Sequence, residues 1–497
     1  MKSFEELQSG LLDAWSANRP GSRRDHVVVV LPSYSFAPSL LAHYERRVPA
    51  LEQRYLLAVL MLRRIPSCEM VFVCSVAPDP EMVEYYFSLM PDTPDARDRL
   101  RIVTVPGSSS RPLAANLLDR HDLIAELSSS FAGRPAFLET WNVREAERRV
   151  ALALGAPLNG TPAHLWPLGF KSSSRYLFEE VGVPVAPGRA DVRSPSEVVA
   201  SIAAIRAETP ALRSVVVKLD DSGAGDGNMV IPVGPEPELV DPSPHDIEAR
   251  VRSLPLWFLE ELRDGGVVEA LIEGPAVTSP SVQVDITPAG ETIVIATHEQ
   301  VLDGEHNQVY NGCRFPANPA YAAELASHGQ AVGEELAALG AIGRFSIDFM
   351  ASLDSYGAWN LHALEINLRK GGTTPPYAVL RHLAPGHYDV ESAAWRVAGG
   401  GTRAYWSTDN LVDESWVGAA PGAVIRAVDR AGLTFDRHEG TGIVLHMLDG
   451  LSIDGRIGMT AVGLTPDHAA SLFATAEAEI HRALDRRTPV TALTAGF

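Results

Sequence analysis

The sequence predicts an α/β protein of about three domains, and three patterns along its 497 residues support that prediction. In the first third, near-continuous apolar runs alternate with helix-like segments, which is typical of a parallel βαβ sheet. Further on, strands of alternating polarity are joined by short turns, which indicates antiparallel ribbons. After Gly399-Gly400-Gly401, strand-like stretches and an amphipathic helix predict a small C-terminal α/β cap.

The composition indicates a soluble, cytoplasmic protein with enough apolar residues for a large core. Hydrophobic residues make up 46% of the chain, and 42 basic against 62 acidic residues leave a net charge of −20. That charge argues against nucleic acid and membrane partners, but it leaves room for a local cationic nucleotide pocket. Cys68, Cys74 and Cys313 match neither a disulfide framework nor a zinc site. No signal peptide or membrane-length apolar run is found, and a homodimer is the default assembly.

The first third supplies the elements of the predicted parallel sheet. The strands are expected at His26–Leu31, Met70–Cys74 and Leu100–Val105, and the helices at Tyr44–Arg64, Asp79–Met90 and Arg144–Gly155. The loop at 32–35 follows the first strand, where open α/β sheets commonly bind ligands. Because no glycine fingerprint accompanies it, dinucleotide binding is not expected. A plain strand-exit turn is favoured over a substrate-facing lip.

The next piece in the chain is a lysine that precedes a predicted helix, and after it comes a second lysine on a strand. Lys171 begins the helix, and the strand starting at Val215 carries Lys218 into a loop. The loop glycines and asparagine are Gly223, Gly225, Gly227 and Asn228. Glycines let backbone N–H groups approach phosphates closely, although the loop alone reads equally well as a flexible hairpin tip. It is neither a Walker A loop nor a kinase loop, because Gly-Lys-Ser/Thr is absent and the kinase order is reversed.

The stretch Val267–Gly274 is a predicted apolar strand carrying Glu269 and Glu273. The backbone edge of such a strand can pair with adenine, and an acidic side chain can bind ribose hydroxyls. A core strand with two acidic ends is the alternative. Another strand pair is predicted at Ser281–Ile286 and Thr292–Thr297, and a helix at Pro319–Leu339.

Residues 344–369 read as a β-hairpin with a turn at Asp354–Gly357. Antiparallel partners have a nearly constant sum of residue numbers, so Asp348 is expected within a residue or two of Glu365. Side chains two apart share a face of a strand. The predicted polar face carries Arg344, Ser346, Asp348, Glu365, Asn367 and Arg369, and the predicted apolar face carries Phe345, Ile347, Phe349, Leu364, Ile366 and Leu368.

The polar face of this hairpin is a candidate metal and phosphate site. Asp348, Glu365 and Asn367 offer the oxygen ligands that Mg²⁺ prefers. Arg344 and Arg369 remain free to hold phosphate or developing negative charge. The alternative is an ordinary hairpin with a solvated, salt-bridged outer face, and the hairpin alone favours that alternative.

The chain thus contains, in order, a lysine before a helix, a lysine strand with a glycine loop, an acidic strand and the polar hairpin. This order resembles the ATP-grasp superfamily, in which two lobes clamp Mg-ATP. The resemblance covers about Trp166 to Leu383. The stretches LPSYS, EMVEYYFSLMPD, GFKSSSRYLFEEVGVPVAPG and GTGIVLHMLDGLSIDGRIG are in addition similar to peptide ligases of the pheganomycin type, and this similarity spans nearly the whole chain. The resemblance implies an ATP-grasp fold between an N-terminal pre-ATP-grasp domain and the C-terminal cap. The expected divisions are 1–165, 166–268 (small lobe), 269–398 (large lobe) and 402–497.

The resemblance also implies a role for each candidate residue. Lys171 and Lys218 would contact the ATP phosphates and adenine, and the loop 223–228 would close over the phosphates. The adenine hinge would comprise Glu269, Ala270, Leu271 and Ile272, with Glu273 as the ribose contact. Asp348, Glu365 and Asn367 would bind two Mg²⁺ ions, with Mn²⁺ as the alternative ion. Arg344 and Arg369, with Lys218, would be the catalytic residues.

The C-terminal part is predicted to contain strands at Ala423–Val428, Gly442–Leu448 and Arg456–Val462 and a helix at Pro466–Leu484. His446 and His298 are expected to be core histidines satisfied by the backbone rather than substrate contacts. His306, in a polar loop, is the better functional candidate. Asp303, Glu305 and His306 are the candidate bases for the incoming amine.

The expected activity is ATP-dependent ligation of a small-molecule carboxylate to an amine or peptide N-terminus. An acyl phosphate would be the intermediate, ADP and phosphate the by-products, and natural-product biosynthesis the setting. Two alternatives remain at this point. One is a phosphotransferase on the same fold, and the other is a nucleotide-binding module without ligase activity.

Overall fold

The computed structural model describes residues 3–36, 38–131, 133–222, 227–234, 242–303 and 309–485. The N-terminal part is a five-stranded parallel sheet in the order β3-β2-β1-β4-β5, as the buried apolar runs predict. Its helices are α1 (Phe4–Gln8), α2 (Leu11–Ala17), α3 (Pro38–Tyr44), α4 (Val48–Gln53), α5 (Pro80–Ser88), α6 (Leu113–Leu118), α7 (His121–Ser130) and α8 (Glu145–Leu154). Its strands are β1 (His26–Leu31), β2 (Cys68–Cys74), β3 (Leu100–Thr104), β4 (Ala136–Thr140) and β5 (Leu158–Asn159).

The prediction of one helix over 44–64 was only partly correct. After α4 the chain tightens into a 3-10 helix, Arg54–Arg63. Nearly every residue of that segment is buried, including Arg54 and Tyr55. A segment buried on all sides gives no one-sided apolar pattern, so its local geometry could not be inferred from periodicity.

The next part is a small lobe with a four-stranded antiparallel sheet in the order β6-β9-β7-β8. Its helices are α9 (Lys171–Glu180), α10 (Pro195–Glu208), α11 (Pro244–Arg252) and α12 (Leu256–Glu261). Its strands are β6 (Gly188–Arg189), β7 (Ser214–Leu219), β8 (Asn228–Pro232) and β9 (Gly266–Ala270). The predicted strand 267–274 therefore ends at Ala270, and the expected division at 268/269 falls within it.

The remaining strands form an eleven-stranded sheet that continues into the C-terminal part. Its strands are β10 (Val277–Thr278), β11 (Pro280–Ile286), β12 (Thr292–Asp303), β13 (Val309–Phe315), β14 (Gly343–Leu353), β15 (Trp359–Asn367), β16 (Gly386–Asp389), β17 (Ala394–Val397), β18 (Thr402–Val412), β19 (Gly442–His446) and β20 (Arg456–Gly463). The accompanying helices are α13 (Ala322–Ala338), α14 (Thr374–Leu383), α15 (Pro421–Arg430) and α16 (Pro466–Leu484). Because β18 pairs with both β13 and β20, residues 402–485 extend this sheet and do not form one of their own.

The predicted strand at Ala423–Val428 was wrong, because this segment lies in helix α15. Its buried members include Val424, Ala427 and Val428, which are three and four residues apart as on one face of a helix. Pro421 in the first turn also favours a helix start. None of the helices in the described ranges is long and apolar enough to cross a membrane.

Candidate active site

The hairpin β14–β15 has the register that the sequence predicts. Asp348 lies directly opposite Glu365, and Ser346 lies opposite Asn367. A β-bulge follows Asp348, where the pairing shifts so that Phe349 faces Ala363. The extra residue is Leu364. It lines the site cavity instead of packing under the hairpin, so its assignment to the apolar face was wrong.

A cavity of about 320 Å³ lies between this hairpin and the sheet of the small lobe. Both lobes contribute side chains to it. The small lobe supplies Lys171, Lys218, Ser222, Asn228, Glu269, Ala270, Leu271 and Ile272. The large lobe supplies Gln300, Tyr310, Ser346, Asp348, Leu364, Glu365, Asn367 and Arg369. Most of the residues singled out in the sequence are thus brought to one cavity.

Asp348 is held by two amide groups. The Nε2 of Gln300 donates to Oδ1 at 2.7 Å, and the Nδ2 of Asn367 donates to Oδ2 at 2.8 Å. Burial and the neighbouring Glu365 carboxylate raise the pKa of Asp348 to about 7. Sequence reasoning missed Gln300, because nothing on β12 distinguishes the strand position that reaches the hairpin.

Two buried lysines reach the cavity from the small lobe. Lys171 Nζ lies 3.0 Å from Glu365 and also donates to Ser222 Oγ at 3.0 Å. This ion pair lowers the pKa of Glu365 against the opposing effect of burial. Lys218 Nζ lies 2.7 Å from Glu269. Both lysines therefore have carboxylate partners, and these carboxylates compete with any anionic ligand for them.

Glu269 accepts from a second cation that sequence reasoning did not find. Arg175 Nη1 lies 3.0 Å from Glu269 and also donates to the carbonyl of Ala186. On α9, Arg175 follows Lys171 by four residues, which puts the two cations on the same side of the helix. That spacing was the signal available in the sequence.

Arg369 stacks on an aromatic side chain from the N-terminal part. Its guanidinium carbon lies 4.7 Å from the ring centroid of Trp141, and burial lowers its pKa. Trp141 in turn packs against Tyr34 at 4.8 Å between ring centroids. Ser35 and Asn142 exchange hydrogen bonds beside it. The strand-exit loop 32–35 thus supports Trp141 from behind, and sequence reasoning missed Trp141.

Arg344 lies away from this cavity, contrary to its expected partnership with Arg369. Its guanidinium donates to both carboxylate oxygens of Asp285 at 2.8 Å and stacks over Tyr377. It lines a second cavity. The physical reason is the length of the hairpin: Arg344 is four residues before Asp348 on the same face, which displaces it by about 13 Å along an extended strand.

The other candidates lie outside the site cavity or outside the described residues. Glu273 is exposed and does not line the cavity, and Gly227 is buried next to Ser222. Gly223 and Gly225 lie outside the described residues, as do Glu305 and His306, and the Asp303 side chain is not described either.

The two core histidines are buried, as expected, but side chains and not backbone groups satisfy them. His298 Nε2 lies 2.5 Å from the hydroxyl of Tyr405, and burial lowers the pKa of His298 to about 3. His446 Nε2 lies 2.8 Å from Asp409, which also pairs with Arg54. Neither histidine lines the site cavity.

The donor set at the hairpin fits the divalent cation that the family resemblance implies. Two carboxylates and one carboxamide meet at one point, and oxygen donors of this kind are the usual protein ligands of Mg²⁺. The raised pKa of Asp348 reports an unfavourable approach of two buried acids. A divalent cation would relieve that repulsion, so Asp348, Glu365 and Asn367 are suited to hold one.

Comparison with protein families gives two matches. Residues 252–391 match the model described as IQCH-like ATP-grasp, and residues 423–474 match the PGM1 C-terminal domain. Among curated proteins, the L-propargylglycine–L-glutamate ligase of Streptantibioticus cattleyicolor is 30% identical over 428 residues, which is 84% of this chain and 86% of that protein. The IQ motif-containing protein H of Danio rerio is 22% identical over 46% of this chain and 25% of its own length.

Solved structures share the fold at low sequence identity. A biotin carboxylase from Campylobacter jejuni, in complex with β-γ-ATP, aligns with a TM-score of 0.55 at 12% identity, covering 91% of this chain and 90% of that one. An N5-carboxyaminoimidazole ribonucleotide synthetase in its ADP complex aligns with a TM-score of 0.52 at 14% identity, covering 92% and 97%. These alignments show that the fold is the one that the sequence resemblance implies.

Proposed function

This chain belongs to the ATP-grasp ligases, and we propose that it uses ATP to join an amino-acid-like carboxylate to the amine of an amino acid or peptide. The observation that carries the proposal is that acidic side chains of the hairpin and lysines of the small lobe line one cavity. Asp348 and Glu365 stand on the hairpin, and Lys171 pairs with Glu365 from the other lobe. Lys218, which pairs with Glu269, lines the same cavity. Acids that hold a cation and lysines that hold phosphates are what a bound metal–nucleotide requires.

In this proposal each lobe binds one part of the nucleotide. Lys171 and Lys218 exchange their present carboxylate partners for phosphate oxygens, and the strand edge at 270–272 receives the adenine. Asp348, Glu365 and Asn367 would hold Mg²⁺, with two ions in the full complex and Mn²⁺ as a substitute, and the bound metal would supply positive charge against the phosphates. Asn228 lines the same cavity and would contact the phosphates.

The reaction then proceeds in two displacements. A carboxylate oxygen of the donor attacks the γ-phosphorus, the bond to the β–γ bridging oxygen breaks, and ADP leaves. The amine nitrogen next attacks the acyl carbon with its lone pair, the bond to the phosphate oxygen breaks, and phosphate leaves. The amine loses a proton to solvent or to the departing phosphate.

Arg369 is the residue placed to stabilise the negative charge that develops in the second displacement. It follows Asn367 by two residues, lines the same cavity, and is buried over Trp141. A buried guanidinium donates strong, charge-assisted hydrogen bonds to an oxyanion. Water must stay out of the cavity at this stage, because it would hydrolyse the acyl phosphate.

Hydroxylamine trapping tests the proposal. The purified chain is incubated with ATP, Mg²⁺ and single amino acids, beginning with the two amino acids in the name of the Streptantibioticus relative. An amino acid hydroxamate, formed only with ATP, is the expected result. A stable phosphorylated product without hydroxamate would instead indicate a phosphotransferase. Nucleotide binding without any turnover would indicate a non-catalytic module, and either result would overturn the proposal.

A further inference from the structure

A second cavity, of about 580 Å³, lies between the parallel sheet domain and the large lobe. We refer to it as the interdomain cavity, and its charged lining includes Arg64, Glu139, Asp285, Arg344, Lys370 and Arg381. Neighbouring residues of one segment line the two cavities: Gly371–Thr373 line the site cavity, and Lys370 and Thr374 line the interdomain cavity. The mechanism described above does not use it.

Three of the cations in the interdomain cavity have anionic partners, and one of them is Arg54, which pairs with Asp409. Arg344 is bound by both oxygens of Asp285, and Lys370 Nζ lies 2.7 Å from Glu139. These two pairs are electrically balanced. They form a polar wall that needs no ligand.

Two arginines in the same cavity have no acidic partner among the residues that the structure describes. Arg64 donates to the backbone carbonyl of Arg381 at 2.9 Å. The guanidinium of Arg381 forms neither a hydrogen bond nor a salt bridge within the described ranges. Arg381 is exposed and acts electrostatically on Asp285, whereas Arg64 is half-buried and its pKa is lowered by burial and by the charges of Arg381 and Arg63. A bound anion would offset the repulsion among these arginines.

A buried imidazole next to these arginines gives independent support. His382 lines the interdomain cavity, and its Nδ1 is buried without a hydrogen-bond partner in the described structure. Burial and the nearby charges of Arg381 and Arg64 lower its pKa, so this ring is held neutral. A neutral imidazole nitrogen can donate to or accept from a ligand, and leaving it unpaired costs free energy.

The other end of the interdomain cavity comes close to Arg369. Arg54 and Tyr55 line the cavity, and both interact electrostatically with Arg369. Tyr55 is buried, and its hydroxyl has no hydrogen-bond partner in the described structure. A molecule that fills this cavity would contact Arg64, Arg381 and Tyr55, and Tyr55 interacts electrostatically with Arg369 of the site cavity.

We propose that the interdomain cavity binds the acceptor amino acid or peptide through a carboxylate that is not consumed, which Arg64 and Arg381 hold. This inference rests on the proposed ligase function. The donor loses its carboxylate charge in the reaction, whereas an acceptor reacts through its amine and keeps its carboxylate. Two arginines distant from the reacting atoms therefore suit the acceptor, because guanidinium groups match carboxylate geometry.

Acceptor analogues test the inference. Amino acids and short peptides are first screened with the donor and ATP for phosphate release and a condensed product. For the acceptor found in this screen, each carboxylate is converted in turn to the carboxamide, and KM is measured. For the wild type we expect KM to rise at least tenfold for one amide. In Arg381→Met and in Arg64→Met/Arg381→Met that ratio should fall towards one, and Arg381→Lys should restore part of it. Arg252→Met, on the exposed face of α11, is the matched control and should keep the wild-type ratio.

Hydroxamate formation from the donor distinguishes a failure of the acceptor site from a failure of the ligase function, because hydroxylamine replaces the acceptor. The variants should form hydroxamate at the wild-type rate. If the wild type forms none, the ligase proposal fails. If hydroxamate forms but the wild type does not distinguish acid from amide, or the Arg64→Met/Arg381→Met variant keeps the wild-type ratio, the acceptor site is wrong while the ligase function stands.

Discussion

Two clusters of buried charge in this molecule have opposite character. In the site cavity, Asp348 faces Glu365, and the pKa of Asp348 is raised to about 7 by burial and by that second acid. In the C-terminal part, Asp409 is more deeply buried than Asp348, but it lies between Arg54 and His446, and these partners lower the pKa of Asp409 to about 2 although burial opposes them. The same residue type is destabilised as an anion in one place and stabilised in the other, although the stabilised residue is the more deeply buried of the two.

The difference identifies which cluster binds ligands. In the Arg54–Asp409–His446 network the acid is paired with Arg54 and with His446, although Arg54 Nε and His446 Nδ1 have no hydrogen-bond partner in the described structure. The network joins the N-terminal part to β18 and β19. The hairpin acids interact with Lys171 and Lys218 of another lobe and with Arg369, but the pKa of Asp348 is raised in spite of these cations. Burial alone therefore does not mark a site. Neighbouring acids that line a cavity and whose charges are not fully compensated do indicate a ligand site.

The largest expected effect is the loss of stability when the Arg54–Asp409–His446 network is broken. Asp409→Ala should lower the free energy of unfolding by about 3–5 kcal/mol, because it leaves Arg54 buried without a counter-ion. Urea unfolding measures the change. The double variant Arg54→Met/Asp409→Leu should recover most of the loss, since it removes both charges. A loss below about 1 kcal/mol for Asp409→Ala would contradict this expectation, because a loss that small is typical of an exposed ion pair.

The next largest effect is the loss of turnover when a hairpin acid is neutralised. Glu365→Gln should reduce turnover by about 10²–10³-fold, as expected when a group that organises transition-state charge is removed. The circular dichroism spectrum should be unchanged. Glu248→Gln, an exposed acid on α11, is the matched control and should keep wild-type turnover. Near-normal activity of Glu365→Gln would exclude Glu365 as a metal ligand.

Glu52 sharpens the comparison, because it is a buried acid hydrogen-bonded to Ser75 and without a cationic partner in the described structure. Burial raises its pKa to about 7, against 4.5 in an exposed chain. The folded state therefore binds a proton that the unfolded state releases between these values, and stability falls as pH rises through that window. Glu52→Gln should remove this slope and stabilise the protein by on the order of 1–2 kcal/mol at pH 8. Parallel stability–pH curves for the two proteins would contradict this assignment.

The smallest effect concerns the aromatic support of the site. Trp141→Leu should lower kcat about fivefold with little change in KM for ATP, because a cation–π contact of about 1 kcal/mol orients Arg369. Trp141→Phe should keep most of the activity, since the ring face remains and the indole N–H has no partner in the described structure. Equal losses in both variants would indicate a packing role only.

Much of the fold and the centre of the site could be predicted from local patterns. The period-two alternation of 344–369 fixed the faces and the pairing of Asp348 with Glu365, and the helix after Lys171 was equally clear. The bulge that turns Leu364 into the cavity depends on pairing geometry that alternation does not encode. Gln300 and Trp141 reach the site from distant parts of the chain, so only the tertiary structure brings them there.

The central claim is that the hairpin acids and Asn367 hold a divalent cation together with nucleotide. Electron paramagnetic resonance of Mn²⁺, titrated into the protein with ADP present, tests it most directly. The account predicts nucleotide-dependent Mn²⁺ binding to the wild type and to Arg54→Met/Asp409→Leu. Binding should be at least about tenfold weaker in Asp348→Asn/Glu365→Gln. Equal Mn²⁺ affinity of the wild type and Asp348→Asn/Glu365→Gln would contradict it.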